Sequence, residues 1–143
     1  MKVLITGGAG FIGSNLAKHF MEKHEVLVVD KFRSHETFSN GNLKSFGHYK
    51  NLIGFKGHIH CGAICDKETI KKMRKFAPDV IFHEAAISDT TVAEQDEIMQ
   101  VNLNSFKDIL NIAYENGSKL IYASSGATYG DAPSPQSVGK GEN

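Results

Sequence analysis

What this 143-residue chain lacks already narrows its function. It has no tryptophan, two cysteines, three prolines and no apolar run approaching the length of a membrane span. Cys61 and Cys65 are too few for a disulfide scaffold and are expected to stay reduced. With His58 and His60 they do not make an expected metal site either, because closed zinc sites use paired, tightly spaced ligands and no second cluster follows. Sixteen basic side chains cancel sixteen acidic ones, which removes the electrostatic case for nucleic acid or an anionic membrane as partner. Met1-Lys2 leads directly into Val3-Leu4-Ile5 rather than into a signal peptide. The expected location is the cytoplasm.

Glycine, by contrast, is plentiful and concentrated near the start, in Thr6-Gly7-Gly8-Ala9-Gly10-Phe11-Ile12-Gly13. An apolar strand enters this run and a helical pattern leaves it, with Ile12, Leu16, Ala17 and Phe20 on one stripe. Strand, glycine turn and helix in that order form a dinucleotide-binding fingerprint. Gly7 is expected to take positive φ, Gly10 to let backbone N–H groups approach a pyrophosphate, and Gly13 to let the helix pack closely. The helix terminus at Phe11 and Ile12 adds partial positive charge, so these two join the three glycines as cofactor-binding positions. A second strand, Glu25 to Val29, ends in Asp30, at the offset where an acid meets the adenosine ribose. The competing reading of Asp30 is a surface turn acid.

Further along, strands are expected around Phe55 to His60, at Asp79 to His83 and at Lys119 to Ala123, with helices at Lys67 to Phe76 and roughly Val92 to Asn116, the last either continuous or broken. This alternation predicts an α/β Rossmann fold, a doubly wound parallel sheet of about five strands in the order 3-2-1-4-5. The Pro-, Ser- and Gly-bearing tail from Asp131 to Asn143 reads as loop. The polar stretch from Lys31 to Gly54 is longer than most connections, so it is functional or mobile, and Phe32, Phe38, Phe46 and Tyr49 suggest aromatic anchoring. Lys31 and Arg33 follow the ribose acid and are placed to meet a 2′-phosphate, which favours NADP, with NAD the alternative; a solvated basic loop is the competing reading. Asp30 would repel that phosphate unless neutralised nearby.

The glycine run, His83-Glu84-Ala85-Ala86 and Tyr122-Ala123-Ser124-Ser125-Gly126-Ala127-Thr128-Tyr129-Gly130 together resemble the extended short-chain dehydrogenase/reductase group of nucleotide-sugar epimerases and dehydratases. Within it, the Asp30-to-Ser34 run and Ser88-Asp89-Thr90-Thr91 resemble the heptose-epimerase branch, which acts on an ADP-heptose destined for bacterial lipopolysaccharide. The resemblance implies transient oxidation of the sugar at C6″ by bound NADP, followed by hydride return to the other face. It implies that Ser125, four residues before Tyr129, is the catalytic hydroxyl; the plainer reading is a strand-end serine serving local backbone. It places Ala85, Ala86, the Ile64 backbone and Asn102 beside the cofactor and Ser88, Asp89 and Thr90 beside the sugar nucleotide, helix capping being the alternative for the last three. His83 and Glu84 read as a hydrogen-bonded structural pair as readily as a catalytic one. Tyr129 is a candidate for the nicotinamide pocket but not the catalytic tyrosine, because Pro133 stands where the Tyr-x-x-x-Lys lysine belongs.

Two departures qualify the resemblance. Ala63 stands where many relatives carry an adenine-binding Asp, and the chain ends at Asn143, where the Tyr-x-x-x-Lys segment is expected to begin. The expectation is therefore the N-terminal cofactor-binding part of an epimerase, inactive alone. A short NADP-sensing module and part of a dehydratase or reductase are the alternatives. Gly126-Ala127 weighs against a dehydratase, which carries an Asp-Glu pair there. A homo-oligomer stays open, and an exposed fifth strand is expected to make the chain prone to aggregate.

Overall fold

The computed structural model describes residues 1–131. Its strands are β1 (Lys2–Thr6), β2 (Glu25–Asp30), β3 (His58–Cys61), β4 (Val80–His83) and β5 (Lys119–Tyr122), and its helices are α1 (Phe11–Phe20), α2 (Lys67–Phe76), α3 (Gln95–Ile98) and α4 (Ser105–Asn116). All strands are parallel, in the order β3-β2-β1-β4-β5. This is the expected Rossmann-type sheet. Of the expected terminal loop, only Asp131 falls within the described residues.

The central strands are apolar on both faces, as a sheet covered by helices on each side requires. Alternation splits them cleanly. Leu4, Leu27, Val29 and Ile81 pack with Met73 of α2 and Ile109 and Ile112 of α4, whereas Val3, Ile5, Val26 and Val28 pack with Ala17 of α1 and with Leu52. Leu4, Ile81, Ile109 and Ile112 are completely buried, so truncating Leu4 to alanine would cost about 3 kcal/mol in transfer and cavity energy. Gly117 ends α4 in the left-handed conformation that glycine supplies without strain.

Four local expectations need correction. Ile12 is 58% exposed and borders the second cleft described below, so it does not join the buried stripe of α1. The third strand begins at His58 rather than Phe55, whose N–H closes a turn on the Leu52 carbonyl while its ring packs against the α1-side core. The long helical pattern begins at Gln95 rather than Val92, and its expected interruption is a π-helical segment, Met99–Asn104. In the β2–β3 connection, Phe38 is buried and Phe32 packs on the α1-side core, but Phe46 and Tyr49 are exposed. Polar ties replace the missing aromatic anchors, as described below. At the sheet edge, Ile121 and Tyr122 of β5 are exposed, so the unpaired edge anticipated from the sequence is present among the described residues.

Candidate functional site

The C-terminal ends of the parallel strands converge, and the turns leaving them form two adjoining clefts. The first, of about 260 Å³, lies between the glycine turn, the end of β2, the 38–47 segment and the turn after β4. The second, of about 850 Å³, runs from the start of α1 past the same turn to the end of β5. Gly7, Gly10 and residues 84–88 border both.

Gly7 sits at their junction with φ +67°, and a Cβ there would lie 2.8 Å from the Ala85 nitrogen. A Cβ on Gly13 would lie 2.4 Å from the Gly7 carbonyl oxygen. The turn and helix can therefore meet only without side chains at these points. Gly10 is the N-cap of α1, no side chain caps the helix, and its first turn holds no acid. The first intrahelical bond runs from the Ser14 N–H to the Gly10 carbonyl at 3.0 Å, leaving the N–H groups of Phe11, Ile12 and Gly13 outside the helical ladder. Phe11 is 83% exposed and forms with Ile12 an apolar lip on the second cleft. Bare glycine cradle, uncapped helix start and apolar lip fit a dinucleotide pyrophosphate.

Asp30 is buried at the end of β2 and borders the first cleft. Its two carboxylate oxygens accept from the Ala9 N–H at 2.9 Å and the Phe32 N–H at 2.8 Å. The carboxylate thus ties the glycine turn to the start of the β2–β3 connection, so it is not the surface turn acid of the competing reading. Lys31 borders the cleft with its ammonium on Glu36 at 2.7 Å, and this contact holds the Glu36 carboxyl below its ordinary range. Arg33 borders neither cleft and contributes its N–H to the Gly47 carbonyl. The Ile64 side chain is in the core, so what it offers the first cleft is backbone.

The turn after β4 departs from expectation. His83 does not pair with Glu84; its Nδ1 lies 2.7 Å from the Thr6 hydroxyl, which also accepts from the Ala85 N–H. Burial drives the His83 pKa down to about 4, so the ring is neutral, and Phe106 lies beside it. Glu84 borders both clefts, and burial raises its carboxyl pKa. Ala85 and Ala86 border both clefts. Asn102 borders the second cleft, but its side-chain amide is engaged with both backbone groups of Ile87.

Ser88 borders both clefts, whereas Thr90 borders neither. Asp89 borders the first, where its carboxylate accepts from the Thr91 hydroxyl (2.6 Å) and N–H (2.9 Å) and from Asn42 (2.7 Å) and Asn40 (3.2 Å). These bonds, the Thr91 pair foremost, hold its pKa near 2. The Ser39 N–H on Glu94 and the Lys44–Glu97 ion pair continue the same seam. The sequence reading missed Thr6, Asn40 and Asn42; Asn40-Gly41-Asn42 reads only as turn chemistry until its partners 47 and more residues away are seen. Ser125 borders the second cleft, and its Oγ accepts from the Ala127 N–H at 3.2 Å, leaving the hydroxyl proton to donate. Tyr129 borders neither cleft.

Comparison with known proteins agrees with this geometry. Residues 3–142 match the NAD dependent epimerase/dehydratase family. The chain is 34% identical over 139 residues to ADP-L-glycero-D-manno-heptose-6-epimerase of Brachyspira hyodysenteriae, covering 90% of this chain and 38% of that protein. The crystal structure of the Helicobacter pylori protein of the same name superposes with TM-score 0.81 at 45% identity, over 97% of this chain and 44% of that one. The Bordetella bronchiseptica enzyme WbmG, solved in complex with NAD, follows with TM-score 0.73 at 28% identity, over 91% and 39%. The chain thus spans less than half the length of these relatives. It belongs to the NAD dependent epimerase/dehydratase family.

Proposed function

We propose that this chain is the dinucleotide-binding, N-terminal portion of a nucleotide-sugar epimerase whose substrate is an ADP-heptose. The observation that carries the cofactor half of this reading is the bare glycine junction at Gly7 and Gly13 beneath an uncapped helix start. The heptose half rests on similarity to the two heptose epimerases. A bound nicotinamide would supply reversible hydride acceptance at the sugar's C6″. In this reading Gly7, Gly10 and the first turn of α1 hold the pyrophosphate, and Ala85 and Ala86 allow its close passage. Ser88 faces the sugar nucleotide, and the Ser125 hydroxyl donates to the reacting oxygen. None of the four tyrosines in these 143 residues is followed four positions later by lysine. The acid/base pair of the reaction is therefore outside this sequence, and the chain by itself is expected to turn over no ADP-heptose.

At the adenosine end we propose NADP. The Asp30 carboxylate would repel a 2′-phosphate if free, but both its oxygens already accept backbone N–H groups. Lys31 and Lys44 border the cleft, each on a carboxylate that a dianionic phosphate would displace. NAD is the second reading, favoured by the relative solved with it. Calorimetric titration of the chain with each dinucleotide tests both. Micromolar NADP with NAD at least about tenfold weaker, the value of roughly one charge-assisted contact, is the expected result. Equal affinities would remove the NADP assignment, and no binding of either by folded protein would remove the cofactor reading.

A further inference from the structure

One side of the first cleft is formed by a small hairpin inside the β2–β3 connection. Thr37 and Leu43 face each other across an isolated antiparallel bridge. The Phe38 N–H bonds the Asn42 carbonyl, the Gly41 N–H bonds the Phe38 carbonyl and the Lys44 N–H bonds the Glu36 carbonyl, each at 2.9 Å. Gly41 makes the tight turn possible with φ +83°. A two-stranded piece this short has no stability of its own in water, so its position depends on what it touches.

Its base and its tip are held very differently. At the base, the Arg33 N–H bonds the Gly47 carbonyl at 2.8 Å, Phe32 packs on the α1-side core, and Leu52 lies within that core. The tip is held by polar contacts alone. Asn42 and Asn40 donate to Asp89 at 2.7 and 3.2 Å, Asn40 also donates to the Thr91 hydroxyl at 2.8 Å, and the Ser39 N–H donates to Glu94 at 2.6 Å. Asn40 and Asn42 are exposed, and exposed contacts of this kind each contribute little net stability. Phe38 is buried and borders the cleft, yet among the described residues it belongs to neither core cluster; the Lys44 ammonium lies 5.4 Å from its ring centroid. Lifting the tip therefore breaks a few exposed bonds and withdraws one ring, and leaves the core of the sheet intact. Segments with few core contacts and exposed bonds are the ones that open locally.

The hairpin joins the two walls of the first cleft, the end of β2 and the segment after β4. With the tip docked the cleft holds about 260 Å³, below the ~300–1,000 Å³ usual for ligand pockets. We propose that residues 36–44 are a latch over the first cleft: the tip leaves Asp89, Thr91 and Glu94 to admit the adenosine half of the dinucleotide, then docks again and retains it. This rests on the cofactor reading above. It also gives Asp89 a different part from the substrate contact that the family resemblance implies, because its carboxylate already accepts four hydrogen bonds, two from Thr91 and one each from Asn42 and Asn40. Asp89 is the catch on which the latch closes.

A latch and a fixed wall differ in kinetics. A fixed wall only holds the ligand, so weakening it speeds dissociation alone; a latch also obstructs entry, so weakening it speeds association as well. The test measures both rates with NADP, from amide line shapes and exchange spectra of the complete chain, in the parent, in Asp89→Ala and in the double variant Asn40→Ala/Asn42→Ala. Each variant is expected to release NADP roughly fifteenfold faster and to bind it roughly threefold faster, a net loss of about fivefold in affinity. The double variant leaves Asp89 in place, so agreement between the two assigns the effect to the docked tip and not to the carboxylate as a ligand. Any other pattern in the folded variants overturns the proposal: parent-like rates, faster release with association unchanged or slowed, or an effect confined to Asp89→Ala. The cofactor reading survives each of these outcomes. A folded parent that binds neither NADP nor NAD would overturn both.

Discussion

The two clefts share one floor and differ in their walls. The smaller is walled by a segment distant in sequence and sewn down by polar ties: Asn40 and Asn42 on Asp89, Ser39 on Glu94, and Lys44 on Glu97. The larger is bounded on its far side by exposed Tyr122 and by Ser124 and Ser125, beside an unpaired strand edge. The common floor is what a parallel sheet gives at its strand ends; the difference lies in what each connection does after leaving it. Under the proposed reading the smaller cleft, walled on both sides by described residues, receives the adenosine half of the cofactor, whereas the larger, for the reacting half, has a floor and one side. This matches a chain that spans 44% of the Helicobacter pylori relative.

The largest expected effect comes from attacking what the clefts share. Gly13→Val places a side chain where a Cβ already falls 2.4 Å from the Gly7 oxygen. It is predicted to weaken NADP and ADP together, on the order of a hundredfold or more, because the phosphate turn must move. Calorimetry with both ligands checks this. An effect confined to one ligand would mean that the floor is not common.

His83 sharpens the comparison through pH. Its pKa in the fold is about 4, below the ordinary histidine value of 6.5. The unfolded chain therefore binds the proton more readily, and the stability from burying the neutral ring is complete above pH 6.5 and is lost as pH falls toward 4. The change amounts to about 3 kcal/mol. Urea midpoints measured across that window in the parent and in His83→Asn should show a steeper acid loss in the parent; parallel curves would contradict the assignment.

A smaller effect isolates the first wall. Asp89→Ala removes the carboxylate that gathers Thr91, Asn42 and Asn40. It is predicted to speed amide exchange in residues 39–44 and to weaken ADP about fivefold, through loss of a preformed wall, with no change at residues 122–125. The smallest effect belongs to the second wall. Ser125→Ala loses one exposed bond to the Ala127 N–H and should leave dinucleotide affinity within about twofold, the scale of a single exposed contact. A larger loss would mean that the serine grips cofactor.

How much of this was legible in the sequence follows the same division. The sheet order, Gly7, Gly10 and Gly13 were readable because each obeys a local rule: alternation for strands, a forced φ at Gly7, absence of a side chain at a close approach; the alanines after β4 were placed by the family resemblance alone. Asp30 was found by its offset, but its partners were not, because the Ala9 and Phe32 N–H groups become acceptable donors only once the turn is built. The aromatic anchoring of the first wall was legible only in part, at Phe32 and Phe38; its polar ties were not, because they run between residues 47 to 55 positions apart and no periodicity signals an Asn–Asp contact of that separation. Asn102 was placed beside the site by the family resemblance, while its bonds to Ile87 were not read, because a break in the helix was anticipated but not its π-helical geometry.

The central claim is that the complete cleft receives the adenosine half of a dinucleotide over the bare glycine junction. Backbone amide spectra of the chain recorded during an NADP titration test it most directly. The account predicts shifts concentrated at residues 7–13, 30–31, 62–64 and 84–88, reproduced by ADP at all but the last of these groups. A folded spectrum in which those amides stay still while NADP reaches millimolar concentration would contradict it.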